Sequence, residues 1–260
     1  MSLASPEETP AAETNGVRSV QRAIDILELL NEERTSITVP EIVRETGLAK
    51  TTIVRLLRTL DQAGLTWTTP NGITAGPGLW RWAYLARRTW ELPTEMREMM
   101  RALSQETKET VNLYVIRNVH RVCIAQQQSS QTLRHVVQVG DELPLWAGAS
   151  SKALLMEASP DLLDRVAAMS PDGAAFVDQL RQSVDAVRDK GYSVSHGERE
   201  TGVSAVAVPV RSPGGRTTAA LSVSGPTSRF DPDRVLLFEA ELRRVSEHMT
   251  RRGFTHPFGR

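Results

Sequence analysis

The 260-residue chain has one cysteine, few aromatic residues (5%) and a formal net charge of +0. A lone Cys123 excludes an intramolecular disulfide, and with five scattered histidines it argues against a structural zinc site. A neutral chain gives no global electrostatic case for a nucleic-acid partner, so any such case must be local. No run approaches the ~18 consecutive apolar residues of a membrane-spanning helix, and no membrane partner is expected. The opening "MSLASPEETPAAETN" lacks a basic segment followed by an apolar one. Residues 1–15 are therefore expected to be a disordered tail rather than a signal peptide, and the protein to be cytoplasmic.

What is present is a run of helical patterns. In "SVQRAIDILELLNEE", Val20, Ile24, Leu27 and Leu30 fall on one face, and Ser19 is a candidate N-cap. "TVPEIVRETG" reads as a short helix capped by Thr38, with Pro40 in its first turn and Gly47 at its end. The next helix, "KTTIVRLLRTLDQ", places Ile53, Leu56, Leu57 and Leu60 at helical spacing. "LTWTTPNGITAGP" follows as a strand–turn–strand, with Asn71-Gly72 expected to supply the positive φ angles of a tight turn. Three helices and a hairpin form one small core of residues 16–77. The stretch 78–92 carries Trp80, Trp82, Tyr84 and Trp90 on a helix; these aromatics either stack on bases or, the preferred reading, pack a partner helix.

From Pro93 the texture changes. A helix over "PTEMREMMRALSQETKE" leads into β-branched runs, "TVNLYVIRN", "RVCIAQQQ" and "LRHVVQVG". Helices are expected over "GASSKALLMEA", about 160–168 and about 174–190, then strands in "GYSVSHGE", "VSAVAVPVRS" and "TTAALSVSGP", and a closing helix over about 231–251. Antiparallel-looking strands with grouped helices argue an α+β domain of residues 93–252, followed by a tail of 253–260.

The local charge then becomes informative. From Lys50 to Arg88 there are six basic residues and one acid, a charge of +5, whereas residues 18–49 sum to −2. Positive charge is thus concentrated where a recognition helix and wing would meet phosphates. A recognition helix enters the major groove N-terminus first, offering Lys50, Thr51 and Thr52 in its first turn and Arg55 one turn on for guanine, with Val54 placed for a thymine methyl. Arg58 and the hairpin residues Thr68, Thr69 and Asn71 are better placed for phosphates. Arg18 and Ser19, at the head of the first helix, complete the candidate DNA-binding set. The alternative is that Thr51 and Thr52 cap the helix and the arginines are only solvated.

The stretches "GVRSVQRAIDILELL", "IVRETGLAKTTIVRLLRTLDQAGL", "ELPLWAGASSKALL" and "SAVAVPVRSPGGRTTAALSVSGP" resemble, in order and spacing, the IclR (isocitrate lyase regulator) family over residues 16–250. The resemblance implies an N-terminal winged helix-turn-helix and a C-terminal effector domain similar to GAF/profilin-like folds. It implies no enzyme and no cofactor. The implied partners are a palindromic double-stranded DNA operator, a small carboxylate effector and a second copy, as a homodimer or dimer of dimers. The regulated genes would form a catabolic operon.

Carried over motif by motif, Ala149 and Ser150 would present helix N-terminal N–H groups to an anionic effector. Ser222 and Ser224 alternate along a strand and share one face, either towards a polar cavity or bonded to neighbouring backbone. Val137 and Leu143 would supply apolar wall, and His135 is either a buried strand histidine or a ligand contact. Ser195 and Ala205 stand where members that bind small keto acids carry an acid and a cysteine. Smaller, uncharged side chains there imply a roomier pocket and a larger carboxylate, such as an aromatic one.

"SHGERETG" invites a metal or catalytic reading, but no HxxH or HExxH spacing supports metal, and a solvated, ion-paired loop covering the pocket is the better account. "GASSK" matches neither nucleophile motif it superficially resembles. An enzyme lacks a nucleophile–base pair here, and a pure interaction module leaves the +5 segment without purpose.

Overall fold

A computed structural model describes residues 17–254. The expected tails, 1–15 and most of 253–260, lie outside the described residues. The chain packs as two compact units that divide between Arg88 and Thr89.

The first unit opens with α1 (Arg18–Glu28). Val17, not Ser19, is its N-cap, and Ser19 is an exposed helical residue. The expected apolar stripe is corrected too. Ile26 is the buried residue of α1, while Val20 and Ile24 are exposed. The helix stops at Glu28, short of the expected end, and Asn31 Oδ1 accepts from the N–H groups of Glu33 and Arg34 in the turn that follows. A two-residue strand β1 (Ser36–Ile37), too short for a periodic signal, precedes α2 (Val39–Thr46). Thr38 caps α2 reciprocally with Glu41, whose carboxylate accepts from the Thr38 N–H at 2.7 Å. Gly47 ends it in the left-handed region at φ 66°.

Ala49 caps α3 (Lys50–Gln62), so neither Thr51 nor Thr52 is the cap. The hairpin is β2 (Thr66–Thr69) and β3 (Gly72–Ala75), and β1 adds to it as a third antiparallel strand in the order β1-β3-β2. Its turn differs from expectation. Thr69 pairs with Gly72, so the loop residues are Pro70 and Asn71, and only Gly72 has positive φ, at 128°. A side chain at Gly72 would meet the Ile37 carbonyl oxygen at 2.8 Å, so the neighbouring strand demands glycine here. Ile26, Ile37, Ile42, Ile53, Leu60 and Ile73 form the core. α4 (Gly78–Trp90) has no buried residue, and Trp80 is 80% exposed.

The second unit is a six-stranded antiparallel sheet between two helical layers. After α5 (Thr94–Thr107) come β4 (Thr110–Arg117), β5 (His120–Gln127) and β6 (Glu142–Pro144). The expected strand "LRHVVQVG" is irregular chain outside the sheet, with Leu133 and Val139 exposed; β6 was not expected at all. α6 (Ala149–Leu155), α7 (Pro160–Ala168), a short 3-10 turn and α8 (Val177–Lys190) follow. β7 (Ser193–His196), β8 (Val203–Arg211), β9 (Thr217–Pro226) and α9 (Pro232–Arg251) complete the order β6-β5-β4-β9-β8-β7.

Alternation along the central strands feeds two cores. Val111, Leu113, Leu221, Val223, Val206 and Val208 pack against α5 and α9, with Phe238 and Leu242. Tyr114, Cys123, Ala207 and Ala220 face α6, α7 and α8. Ser222 and Ser224 continue the line of Ala220 on β9 and therefore lie on the α6 face.

Candidate functional site

In the first unit, α2, the turn Gly47–Ala49 and α3 form a helix-turn-helix beside the wing. Ile53 and Leu60 anchor α3 in the core, which fixes the opposite face outward. Lys50, Thr51, Val54, Arg55 and Arg58 are exposed, and Thr52 is half-buried. Lys50, Arg55 and Arg58 make no ion pair among the described residues, whereas Arg34 and Arg44 on the acidic side both approach Glu45. A row of unpaired cations on an exposed helix attracts phosphate and costs self-repulsion otherwise. Thr69 is differently employed. Its hydroxyl donates to the Gly72 carbonyl oxygen at 2.9 Å and accepts from the Asn71 N–H, which staples the wing turn and leaves Asn71 and Thr68 as the exposed polar groups. Arg18 and Ser19 are exposed on α1.

In the second unit, a cavity of about 40 Å³ lies between the α6 end and the sheet. His135, Leu143, Ala149, Ser150, Ser195, Ala205, Ser222 and Ser224 line it together. Val137 does not. It is buried in the core under α6, and its carbonyl accepts from Gln126 Nε2. The hydroxyls of Ser150, Ser195 and Ser222 have no hydrogen-bond partner among the described residues, although all three side chains are buried.

Ser224 belongs to a relay. Gln126 Nε2 donates to Asn112 Oδ1 (3.1 Å), Asn112 Nδ2 to Ser224 Oγ (3.1 Å), and His135 Nδ1 lies 3.0 Å from the same oxygen. Arg199 Nη2 donates to His135 Nε2 at 2.7 Å, which makes Nε2 the acceptor and assigns the ring proton to Nδ1. Ser224 Oγ then accepts twice, and its own proton is left to donate into the cavity. Burial first, and the Arg199 charge second, hold the His135 pKa below its ordinary value of 6.5, so the ring is neutral near pH 7.

The loop after β7 closes the cavity. Glu198 Oε2 accepts from the Gly148 N–H at 2.9 Å, and its other oxygen is ion-paired with Lys152. Arg199 is paired with Glu200 at 3.2 Å. The space is therefore small, contrary to the expectation drawn from Ser195 and Ala205. Charged loop side chains fill the room that the small strand residues vacate.

Glu198, Arg199 and Glu200, in the loop expected to cover the pocket, line the cavity, whereas Tyr114, Arg121 and Ser204 also line it and were missed from sequence. Arg121 shares the strand face of Cys123, two residues on, and that alternation was the available signal.

A winged helix-turn-helix with a cationic outer face, and a sheet domain enclosing a polar cavity, define a two-domain transcriptional regulator. The description "Bacterial transcriptional regulator IclR C-terminal" matches residues 84–251, and "IclR helix-turn-helix domain" matches residues 19–66. The chain belongs to the IclR family of DNA-binding transcriptional regulators, which are not enzymes. It is similar to the HTH-type transcriptional regulator BhcR of Paracoccus denitrificans, 31% identical over 86% of this chain and 83% of that one. A transcriptional regulator of the IclR family from Rhodococcus sp. is 43% identical, covers 96% of this chain and 98% of its own, and superposes with a TM-score of 0.63. An IclR homologue from Microbacterium hydrocarbonoxydans, solved with 4-hydroxybenzoate, shares the fold at TM-score 0.71 and 22% identity, over 90% of this chain and 98% of that one. Among the described residues no helix is long and apolar enough to cross a membrane.

Proposed function

We propose that this regulator acts in the cytoplasm, binds a palindromic operator as a homodimer or dimer of dimers, and controls a catabolic operon in response to a small organic acid held in the second unit. Lys50, Thr51, Val54 and Arg55 read the major groove, while Arg58, Arg18, Ser19 and Asn71 hold phosphates. Two copies would set two α3 helices about one duplex turn, roughly 34 Å, apart.

The observation that carries the effector half is the convergence of three partnerless hydroxyls, Ser150, Ser195 and Ser222, on one cavity. Hydroxyls that open onto a cavity without a protein partner are satisfied by whatever enters it, water or a ligand. A carboxylate supplies acceptors for all three, and the 4-hydroxybenzoate complex of the homologue is consistent with an acid in this class of domain. The cavity volume of about 40 Å³ requires the Glu198–Glu200 loop to move aside before any such acid enters.

The test is thermal unfolding against acetate, pyruvate, succinate, benzoate and 4-hydroxybenzoate, wild type beside Ser222→Val. An acid at 100 times its dissociation constant stabilises the native state by about 2.7 kcal/mol. The expected result is a shift for one acid in wild type that the variant loses. Silence across the panel removes the effector half. Operator binding is tested separately by its salt dependence, which falls steeply only when phosphates are neutralised.

A further inference from the structure

Arg121 is the most unusual charge in the molecule. It sits on β5, is 4% exposed, and makes no ion pair among the described residues. Its Nη1 is committed to the carbonyl oxygens of Pro144 (2.6 Å) and Ala147 and to Ser151 Oγ. Those contacts tie the turn before α6 to the sheet. They use one corner of the guanidinium only. Nε is buried with no partner at all, and Nη2 takes none among the described residues.

The Nε–Nη2 edge is the side of a guanidinium that grips a carboxylate with two parallel hydrogen bonds. Here Nη2 is the nitrogen left open, Nε being sealed in the protein. A side chain at Gly148 would stand 3.2 Å from Nη2, and glycine, at φ 97°, supplies none. The Tyr114 ring, 5.5 Å from Cζ, holds the guanidinium by cation–π attraction. Burial outweighs the surrounding fields and brings the Arg121 pKa down to about 10, as expected of a buried cation without a counter-ion. A structural strut would not need this. Its three acceptors could be served by a neutral donor, and burying a full charge is disfavoured unless an anion accompanies it.

We propose that Arg121 is the anchor for a singly charged carboxylate in this cavity, taking it through Nη2 while the Ser150, Ser195 and Ser222 hydroxyls bind its oxygens and rim. The inference rests on the effector reading above and adds the charge that recognises the ligand. Charge balance selects a monoanion. Lys152, outside the lining, pairs with Glu198 and Arg199 pairs with Glu200, with His135 neutral, which leaves Arg121 as the one charge without a counter-ion at the cavity. A neutral amide of the same shape would leave that charge bare.

The experiment measures binding by thermal shift and calorimetry for acetate, pyruvate, benzoate and 4-hydroxybenzoate beside the corresponding amides, in wild type, Arg121→Lys and Arg121→Gln. At least one acid is expected to bind wild type, its amide at least tenfold more weakly. Arg121→Gln should weaken the acid about 100-fold, and Arg121→Lys, which keeps the charge, less. Equal affinity of wild type and Arg121→Gln overturns the role of Arg121 while leaving the effector reading intact. No acid bound by wild type overturns both. If the variants do not fold, arginine-selective ¹⁵N spectra of wild type decide. A guanidinium N–H resonance must move on saturation with the bound acid, and none moving overturns the proposal.

Discussion

Glu198→Gln isolates the clasp that closes the effector cavity. The substitution keeps the shape and one hydrogen-bonding oxygen, but removes the charge that meets Lys152 and the Gly148 N–H. A hydrogen bond to a charged group is worth about 1.5–3 kcal/mol. The Glu198 side chain is 32% exposed and Lys152 16%, so solvent screening lowers the expected loss to about 1–2 kcal/mol. Each 1.4 kcal/mol is a factor of about ten in an equilibrium, so local opening of the loop should become roughly 5–30-fold more frequent. Hydrogen exchange followed by mass spectrometry reads this without any ligand. Peptides covering residues 193–203, and the Gly148 amide, should exchange faster by that factor, while β4 and β9 stay protected. The sheet strands serve as the internal control because their bonding does not involve the clasp. Unchanged exchange at Gly148 and in the loop would show that the clasp contributes nothing to closure, and the view that the Glu198–Glu200 loop holds the cavity shut against an entering acid would fall with it.

Further outcomes follow from single contacts. Arg229 grips the fully buried Glu109 through both carboxylate oxygens, so Arg229→Ala strands a buried charge and should cost about 3–5 kcal/mol in urea unfolding; a loss under 1 kcal/mol contradicts that account. Gly72→Ala drives a side chain to 2.8 Å from the Ile37 carbonyl at positive φ, and should destabilise the wing by about 1–3 kcal/mol, seen as a lower melting temperature. Because His135 has a lowered native pKa, the unfolded chain binds its proton first as pH falls. Its stabilising contribution is present above about pH 6.5 and is lost below it, with a slope of at most about 1.4 kcal/mol per pH unit that His135→Gln should remove. Arg55→Ala should cost about 1–3 kcal/mol on a specific site if it reads a base. An equal loss on random DNA makes it a phosphate contact instead.

Signals carried within one or two helical turns were legible in the sequence. The Thr38–Glu41 cap, the Gly47 stop and the Ile53/Leu60 face of α3 depend on residues three to seven apart, and the unpaired cations of α3 follow from that face. The serines of β9 were likewise placed on one face by strand alternation alone. Tertiary structure decided the rest. Ile26 displaced Val20 and Ile24 from the core because the packing of α2 and α3, not the best stripe of α1, chooses which side is covered. β1 exists only because β3 offers it an edge, and Leu133–Val139 runs as irregular chain although the edge of β5 is paired with β6 only over residues 120–122. Above all, nothing local marks Arg121 as buried, and although the "SHGERETG" loop was expected over the pocket, nothing local marks Glu198 as the group that clasps the Gly148 N–H. Arginine and glutamate in a sequence read as solvent-facing, and only the distant α6 turn and the β7–β8 loop, brought together by the sheet, withdraw them from water and set their charges against one another.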